Sequence, residues 1–113
     1  MLNTNGVNAV LDDGNEAVFY VSLGDGATSA DEVSNERRLV TLGAPSGGVI
    51  SATNAPLNFT GTPSGSVTHA LLFSTSTVGT GTFYGAEAIT GDGAFNGSGA
   101  YSLTGLTITG SPS

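Results

Sequence analysis

Cysteine is absent from the 113-residue chain. Its absence excludes a disulfide framework, a thiolate zinc site and a cysteine nucleophile together. A chain of this length buries roughly two-thirds of the surface that it exposes when unfolded, so one hydrophobic core can stabilise it. We therefore expect a single domain over residues 1–113, with a helical or arm segment at 1–13, a β-domain at 14–110 and a tail at 111–113.

Positive charge is nearly absent as well. The chain has two arginines and no lysine against nine acidic residues, and its net charge is −7. Such a chain repels nucleic-acid phosphates. It also lacks a basic amphipathic stretch, an apolar run near the ~20 residues of a membrane span and a cationic signal sequence. These absences predict no nucleic-acid or membrane partner and synthesis as a soluble protein in the cytoplasm.

Charged residues of either sign make up 10% of the chain, compared with about 25% in typical soluble domains. From Leu39 onward, only Glu87 and Asp92 are expected to ionise near neutral pH. Glycine, serine and threonine are abundant, which is also the composition of flexible linkers. The apolar residues, however, come in short clusters separated by turn residues, and this pattern favours an ordered all-β domain.

Eight short segments predict strands, because each is rich in β-branched, aromatic or alternating apolar residues. They are Ala17–Leu23, Arg37–Leu42, Val49–Ala52, Leu57–Thr60, Val67–Thr75, Thr82–Thr90, Ala100–Leu103 and Leu106–Thr109. The continuous apolar run in Val67–Thr75 is typical of a strand buried on both faces. The polar stretch at 27–35 predicts a loop.

The N-terminal segment has a different pattern. Apolar residues from Leu2 to Leu11 have helix-like spacing and are followed by Asp12-Asp13-Gly14, which predicts a short helix. No later segment could form a helix long enough to connect parallel strands, so we expect antiparallel pairing in a meander or Greek key. The predicted fold is an all-β, antiparallel β-sandwich or jelly-roll-like barrel with a short N-terminal helix.

No catalytic constellation is visible. His69, the only histidine, lies inside an apolar run without a nucleophile elbow, so we interpret it as a structural residue in or near the core. The sequence predicts that the chain is not an enzyme and that it has no catalytic residue.

Three aspartate-glycine segments suggest calcium, because oxygen ligands clustered in loops suit that ion. They are Asp12-Asp13-Gly14, Gly24-Asp25-Gly26 and Gly91-Asp92-Gly93. None has the spacing of an EF-hand, and aspartate beside glycine is first a turn signal. Gly79-Thr80-Gly81 lacks the spacing and the lysine of a phosphate-binding loop. We therefore predict neither a metal nor a cofactor.

Four residues are candidates for an interface: Arg37, Arg38, Tyr84 and Tyr101. The arginines could pair with Glu32 or Glu36 on a solvated edge, or one of them could reach a carboxylate on a neighbouring subunit. Tyr84 or Tyr101, with Asp92, could instead bind a host glycan.

The edges of the predicted sheets need protection. Free β-domains usually guard strand edges with lysine, other charges or proline, and these are scarce from Leu39 onward. The edges must therefore be hidden by closure of the sheet, by glycine-rich twisting or by burial against partners. The composition favours a protein that assembles with other subunits.

Several motifs resemble small virion proteins of bacteriophages that infect actinobacteria. They are Tyr20-Val21-Ser22-Leu23, Asn35-Glu36-Arg37-Arg38, Val40 to Gly48, Val67 to Ser74, Gly81 to Gly85 and Ala100 to Thr104. The resemblance implies a structural component of the virion, either a β-sandwich oligomer that decorates the capsid or a tail-fibre-like protein. No functional site is carried over with it.

We therefore expect a capsid decoration (cement) protein on the outer surface of the virion. Its expected form is a homotrimer bound to the major capsid protein or to other virion proteins. A tail or tail-fibre component and a glycan-binding module remain the alternatives.

Overall fold

The computed structural model describes residues 2–13, 18–43, 49–54, 56–89 and 93–109. In chain order it contains helix α1 (Thr4–Asp13) and strands β1 (Phe19–Gly24), β2 (Arg38–Val40), β3 (Val49–Ser51), β4 (Leu57–Thr60), β5 (His69–Phe73), β6 (Phe83–Ala88), β7 (Ala100–Leu103) and β8 (Thr107–Thr109). The predicted all-β class with a short N-terminal helix is confirmed. The predicted tail at 111–113 lies outside the described residues.

All strand pairs are antiparallel, as predicted. Four strands form one sheet in the order β2-β1-β5-β6, and the others form the pairs β3–β8 and β4–β7. The pairs β5–β6, β4–β7 and β3–β8 are nested, so the chain from Val49 to Thr109 folds back on itself as one long hairpin. This nesting excludes a simple meander and agrees with the jelly-roll-like alternative.

The central strands lie inside the core. Every residue of β5 after His69 is buried, which confirms the prediction of a strand buried on both faces. In β4 and β7, buried and exposed residues alternate, so one face of this pair packs on the core and the other meets solvent. Phe19, Leu23, Phe59 and Ile108 are among the largest fully buried side chains.

Helix α1 begins two residues after Leu2, so the predicted start at Leu2 is wrong. Leu2 is buried and forms a β-bridge with Gly85 of β6. Asn3 caps the helix, because its Oδ1 accepts a hydrogen bond from the Gly6 N–H at 3.0 Å. Its Nδ2 donates to the Phe83 carbonyl at 2.7 Å. Apolar spacing alone cannot distinguish a buried helical residue from a residue in a short bridge.

The segment Leu2–Asn3 also joins two strands that do not pair with each other. The Leu2 N–H donates to the Thr109 carbonyl of β8 at 2.9 Å, and the Asn3 N–H donates to the Tyr84 carbonyl of β6 at 2.8 Å. The helix that follows lies so close to β6 that a Cβ at Gly6 would collide with the Tyr84 carbonyl oxygen. The N-terminal segment thus closes one side of the fold.

A side chain caps the outer edge of β2. The Asn54 Nδ2 donates to the Leu39 carbonyl at 2.8 Å, and its Oδ1 accepts from the Thr41 N–H at 3.1 Å. The Thr53 N–H donates to the Thr41 carbonyl at 2.8 Å. The amide of Asn54 therefore takes the place that the main chain of a further strand would occupy.

The outer edge of β4 is capped by the segment that leads into β2. The Arg38 Nε donates to the Asn58 carbonyl at 2.7 Å, and the Asn35 N–H donates to the Thr60 carbonyl at 2.8 Å. The Glu36 carboxylate accepts from both the N–H and the hydroxyl of Thr60. These contacts join the four-stranded sheet to the β4–β7 pair.

We expect the substitution Asn54→Ala to lower the free energy of unfolding by about 1 kcal/mol, because two hydrogen bonds to the β2 edge are lost. Urea denaturation measures this change. Ser76→Ala is the matched control, since Ser76 is exposed and no side-chain hydrogen bond of Ser76 lies within the described residues. Equal stability of the two variants would contradict a capping role for Asn54.

Candidate functional site

Arg37 lies at the centre of a buried polar cluster. Its Nε and one Nη donate to the two carboxylate oxygens of Glu32 at 2.7 and 2.9 Å. The other Nη donates to the carbonyls of Thr75 and Thr80, both at 2.9 Å. The guanidinium carbon lies 3.6 Å from the centroid of the Phe73 ring. The side chain has 0% exposure, so all of these contacts are internal.

The predicted pairing of Arg37 with Glu32 is confirmed, but the pair is not on a solvated edge. It is buried because the loop from Thr75 to Thr80 folds over the guanidinium and the Phe73 ring lies against it. A planar guanidinium with five donors is suited to such a site, in which a carboxylate and two carbonyls lie around one cation. Arg37 thus holds the 75–80 loop onto the sheet.

The acid in this cluster is ionised at neutral pH. Burial alone would raise the pKa of Glu32, but hydrogen bonds from Arg37 and Ser22 and the charge of Arg37 outweigh burial and hold the pKa below its ordinary value. The Gly79 N–H adds a weaker contact at 3.3 Å. Charge-assisted hydrogen bonds of this kind are stronger than neutral ones.

Arg38 has the opposite environment, although it is the next residue. It is exposed, and its Nε is held by the Asn58 carbonyl. Within the described residues, it contacts a carbonyl instead of the predicted Glu32 or Glu36 carboxylate, and its two Nη groups have no partner. Arg38 is therefore the cation available at the surface.

Arg38 lies at the rim of the solvent face of the β4–β7 pair. This outer face consists of side chains that alternate with buried ones: Asn58, Thr60, Ala100 and Ser102. All four are exposed and uncharged, and with Arg38 they line a depression of about 530 Å³. The outer face is a polar surface of uncharged side chains, with the Arg38 guanidinium at its rim and the Glu36 carboxylate bonded to Thr60.

The two candidate tyrosines lie in different sheets. The half-buried Tyr84 packs edge-on against Phe19, with ring centroids 5.1 Å apart. Tyr101 is only 7% exposed and packs edge-on against Phe95 at 6.0 Å. Sugar stacking needs an open ring face, and the buried Tyr101 offers none. Asp92, the third residue proposed for glycan binding, lies outside the described residues.

His69 begins β5 and is half-buried. Its Nδ1 lies 2.8 Å from the Thr68 hydroxyl. The nearby Asp31 accepts hydrogen bonds from the N–H and the hydroxyl of Thr28, and these two bonds, with a smaller contribution from His69, lower the pKa of Asp31. The contacts of His69 are those of a structural residue.

The structure describes only part of the three aspartate-glycine segments. Gly24 ends β1 and the Asp25 N–H donates to the Asp31 carbonyl across the loop that follows, whereas Gly14, Gly91 and Asp92 lie outside the described residues. In the described part of the chain, no three acidic or histidine side chains come close enough to hold a metal ion. No helix of that part combines the length and hydrophobicity that crossing a membrane requires.

A second concavity, of about 660 Å³, lies between the ends of three strands. Residues 87–89, at the end of β6, form one wall, and residues 101–107, from β7 to the start of β8, form the other. Glu87 connects these elements, because its carboxylate accepts from the Thr109 N–H at 2.8 Å. The sequence did not indicate this cleft, since its walls come from distant segments without a motif.

Comparisons of the chain with protein-family models, with curated proteins and with solved structures found no match. No site can therefore be transferred from a relative, and the resemblance to virion proteins stays a prediction.

We expect Arg37→Ala to lower the free energy of unfolding by about 3 kcal/mol, because it leaves a partly buried carboxylate and two carbonyls without their donor. Arg38→Ala is the matched control, with an expected loss of no more than about 1 kcal/mol at an exposed position. Denaturant unfolding monitored by circular dichroism compares the two variants. A similar loss in both would contradict the internal role of Arg37.

The lowered pKa of Glu32 also predicts how stability depends on pH. Ionised Glu32 stabilises the fold above the pKa of the unfolded state, and this contribution disappears as the pH falls through the lower pKa of the folded state. We expect stability to fall on acidification below about pH 5. Unfolding free energies at a series of pH values should decrease less steeply in Glu32→Gln, whereas the exposed control Ser76→Ala, which removes no titratable group, should follow the wild type. An unchanged slope in Glu32→Gln would refute this assignment.

Proposed function

We propose that this chain is a non-enzymatic structural protein of a bacteriophage particle that decorates the outside of the capsid. The motifs that resemble actinobacteriophage virion proteins support this proposal. The observation that carries it is the outer face of the β4–β7 pair with Arg38 at its rim. The proposed partner is the major capsid protein or another virion protein.

The outer face is suited to protein contact because its own side chains are uncharged and the neighbouring Glu36 carboxylate is already bonded to Thr60. Burying an ion costs several kcal/mol unless it is well paired. The face has no ionised side chain among its four members, which are Asn58, Thr60, Ala100 and Ser102. The same face has a hydrogen-bonding group on three of these four side chains, so it can also match a polar partner.

Arg38 gives the proposed contact its orientation. Its Nε is already fixed by the Asn58 carbonyl, so little further side-chain entropy is lost when its Nη groups engage a partner. A guanidinium pairs best with a carboxylate in bidentate geometry. The docking surface on the shell should therefore present an aspartate or glutamate opposite Arg38.

Oligomerisation would increase the overall affinity of a contact that is weak in a single copy. A homotrimer on a symmetry axis presents three copies of the outer face in fixed geometry, and simultaneous engagement raises the overall affinity without any new contact. Such a protein is synthesised in the host cytoplasm and ends on the outer surface of the virion.

We expect the purified protein to bind expanded phage heads that lack it, at a fixed number of copies per head, and to raise the melting temperature of the shell by mass action. Co-sedimentation and calorimetry measure the two effects. Mass spectrometry of separated heads and tails provides the copy number in the particle. A handful of copies found only on tails would contradict decoration and identify a tail component.

The substitution Arg38→Glu should weaken binding to heads by about tenfold or more, because it places a carboxylate opposite a carboxylate. Asp25→Asn also alters an exposed charge, but Asp25 does not line the depression of the outer face, so this variant should leave binding unchanged. Melting curves of both isolated variants verify that they fold. Equal binding by the two variants would contradict the proposed docking surface.

A further inference from the structure

Strand β7 lines the 660 Å³ cleft, and some of its main-chain N–H and C=O groups are not used in pairing with β4. Hydrogen bonds in an antiparallel pair involve every second residue, and the residues between them turn their N–H and C=O outward. In β4–β7 the Gly61 N–H donates to the Gly99 carbonyl at 2.8 Å, which places Ala100 and Ser102 in the outward set. The outward main chain of Ala100 already has partners, because its carbonyl accepts from the Asn96 N–H and its N–H donates to the Asn96 side-chain oxygen. Ser102 is the next outward residue.

The same alternation applies to β6 and β8. The Ala52 N–H donates to the Leu106 carbonyl at 2.9 Å, so Thr107 of β8 turns its main chain away from β3. The Ile89 N–H donates to the Thr68 carbonyl at 3.0 Å, so Ala88 of β6 turns its main chain away from β5.

Ala88, Ser102 and Thr107 are all exposed and all line the cleft. Within the described residues, no hydrogen bond reaches the main chain of any of the three. Other edges in the described residues have partners: Asn54 caps β2, Glu36 and Arg38 cap β4, and Leu2–Asn3 covers part of β6 and β8. Outward main chain from three strands therefore converges on one concavity.

We propose that this cleft is a strand-acceptor site, which binds an extended segment of a partner protein as an additional β-strand. Addition of a strand to an open sheet edge obtains affinity from main-chain hydrogen bonds and specificity from pockets for alternate side chains. Here Ser102, Ala88 and Thr107 supply the donors and acceptors. The buried side chains of Leu103 and Leu106, which also line the cleft, supply an apolar floor.

The chemistry of the cleft selects the partner segment. Glu87 is the only carboxylate among the lining residues, and the chain has a net charge of −7, so an acidic segment is repelled and a basic one attracted. Alternation of small apolar and polar side chains would place the apolar ones on Leu103 and Leu106 and the polar ones in solvent. The occupant is therefore an extended, basic or uncharged segment with alternating apolar residues.

A second copy of this chain does not fit the cleft equally well. Strand addition needs an unpaired strand as donor, and each strand in the described part of the chain is already paired. With the described strands paired in this way, two copies would bring together the same concavity of each molecule, and both molecules carry the same net charge of −7.

The inference rests on the cleft alone and not on the proposed role at the capsid. The probe is a blocked heptapeptide of alternating valine and threonine with an arginine at each end. On titration into the full isotope-labelled chain, it should slow the amide hydrogen exchange of Ala88, Ser102 and Thr107. A peptide N-methylated along one edge should lose this effect, and one with glutamate ends should bind about tenfold more weakly.

Variants of the chain test the same site from the other side. Ser102→Pro removes the outward N–H, which β4 does not use, and should weaken binding of the peptide by about tenfold. Ser102→Thr keeps the N–H and should bind like the wild type. If Ser102→Pro does not fold, the N-methylated peptide decides the question.

Failure of the unmodified peptide to protect these three amides, or equal protection by the N-methylated one, would overturn the proposal. The experiment contains no phage component. Its failure therefore leaves the decoration proposal unaffected, and failure of binding to heads leaves the strand-acceptor site unaffected.

Discussion

The hydrogen-bonding capacity of strand edges is the constraint on which this structure depends. An edge exposes a row of main-chain donors and acceptors that pair readily with other chains, and lysine is a common guard. This chain has no lysine and uses neutral or internally bonded groups instead. Asn54, Asn96 and Glu36 each satisfy main-chain groups on an edge strand. Each of these side chains performs locally what a further strand would perform along its whole length.

The two adjacent arginines show how strand geometry determines the role of a residue. Successive side chains in an extended chain point to opposite faces, so Arg37 enters the protein and Arg38 leaves it. Arg37 meets Glu32, two carbonyls and the Phe73 ring, and it becomes part of the folded framework. Arg38 donates one hydrogen bond to the Asn58 carbonyl and remains exposed. Identical residue types thus serve stability and surface chemistry separately.

Local features of the sequence were sufficient to predict the strands. β4 and β7 have the predicted bounds, because alternating apolar residues and flanking turn residues act over a few positions. The contacts that hold the strands together were not predictable in this way. Arg37 reaches a carbonyl 38 residues away and Glu36 reaches Thr60 24 residues away, and no local pattern encodes either partner. The apolar spacing places Leu2 in the helix, because the bridge from Leu2 to Gly85 is a long-range contact that no local pattern encodes.

The low charge content is weaker evidence for assembly with partners than the composition alone indicates. The sequence left closure, glycine-rich twisting and burial against partners as ways to hide the edges, and the structure adds capping by polar side chains. Because β2, β4 and most of β6 and β8 are satisfied within the chain, a low charge content does not by itself require a partner. In the described strands, Ser102, Ala88 and Thr107 at the cleft present main chain that water or another strand has to satisfy. We therefore propose strand pairing with a partner at this concavity, whereas the outer face with Arg38 would act through side chains.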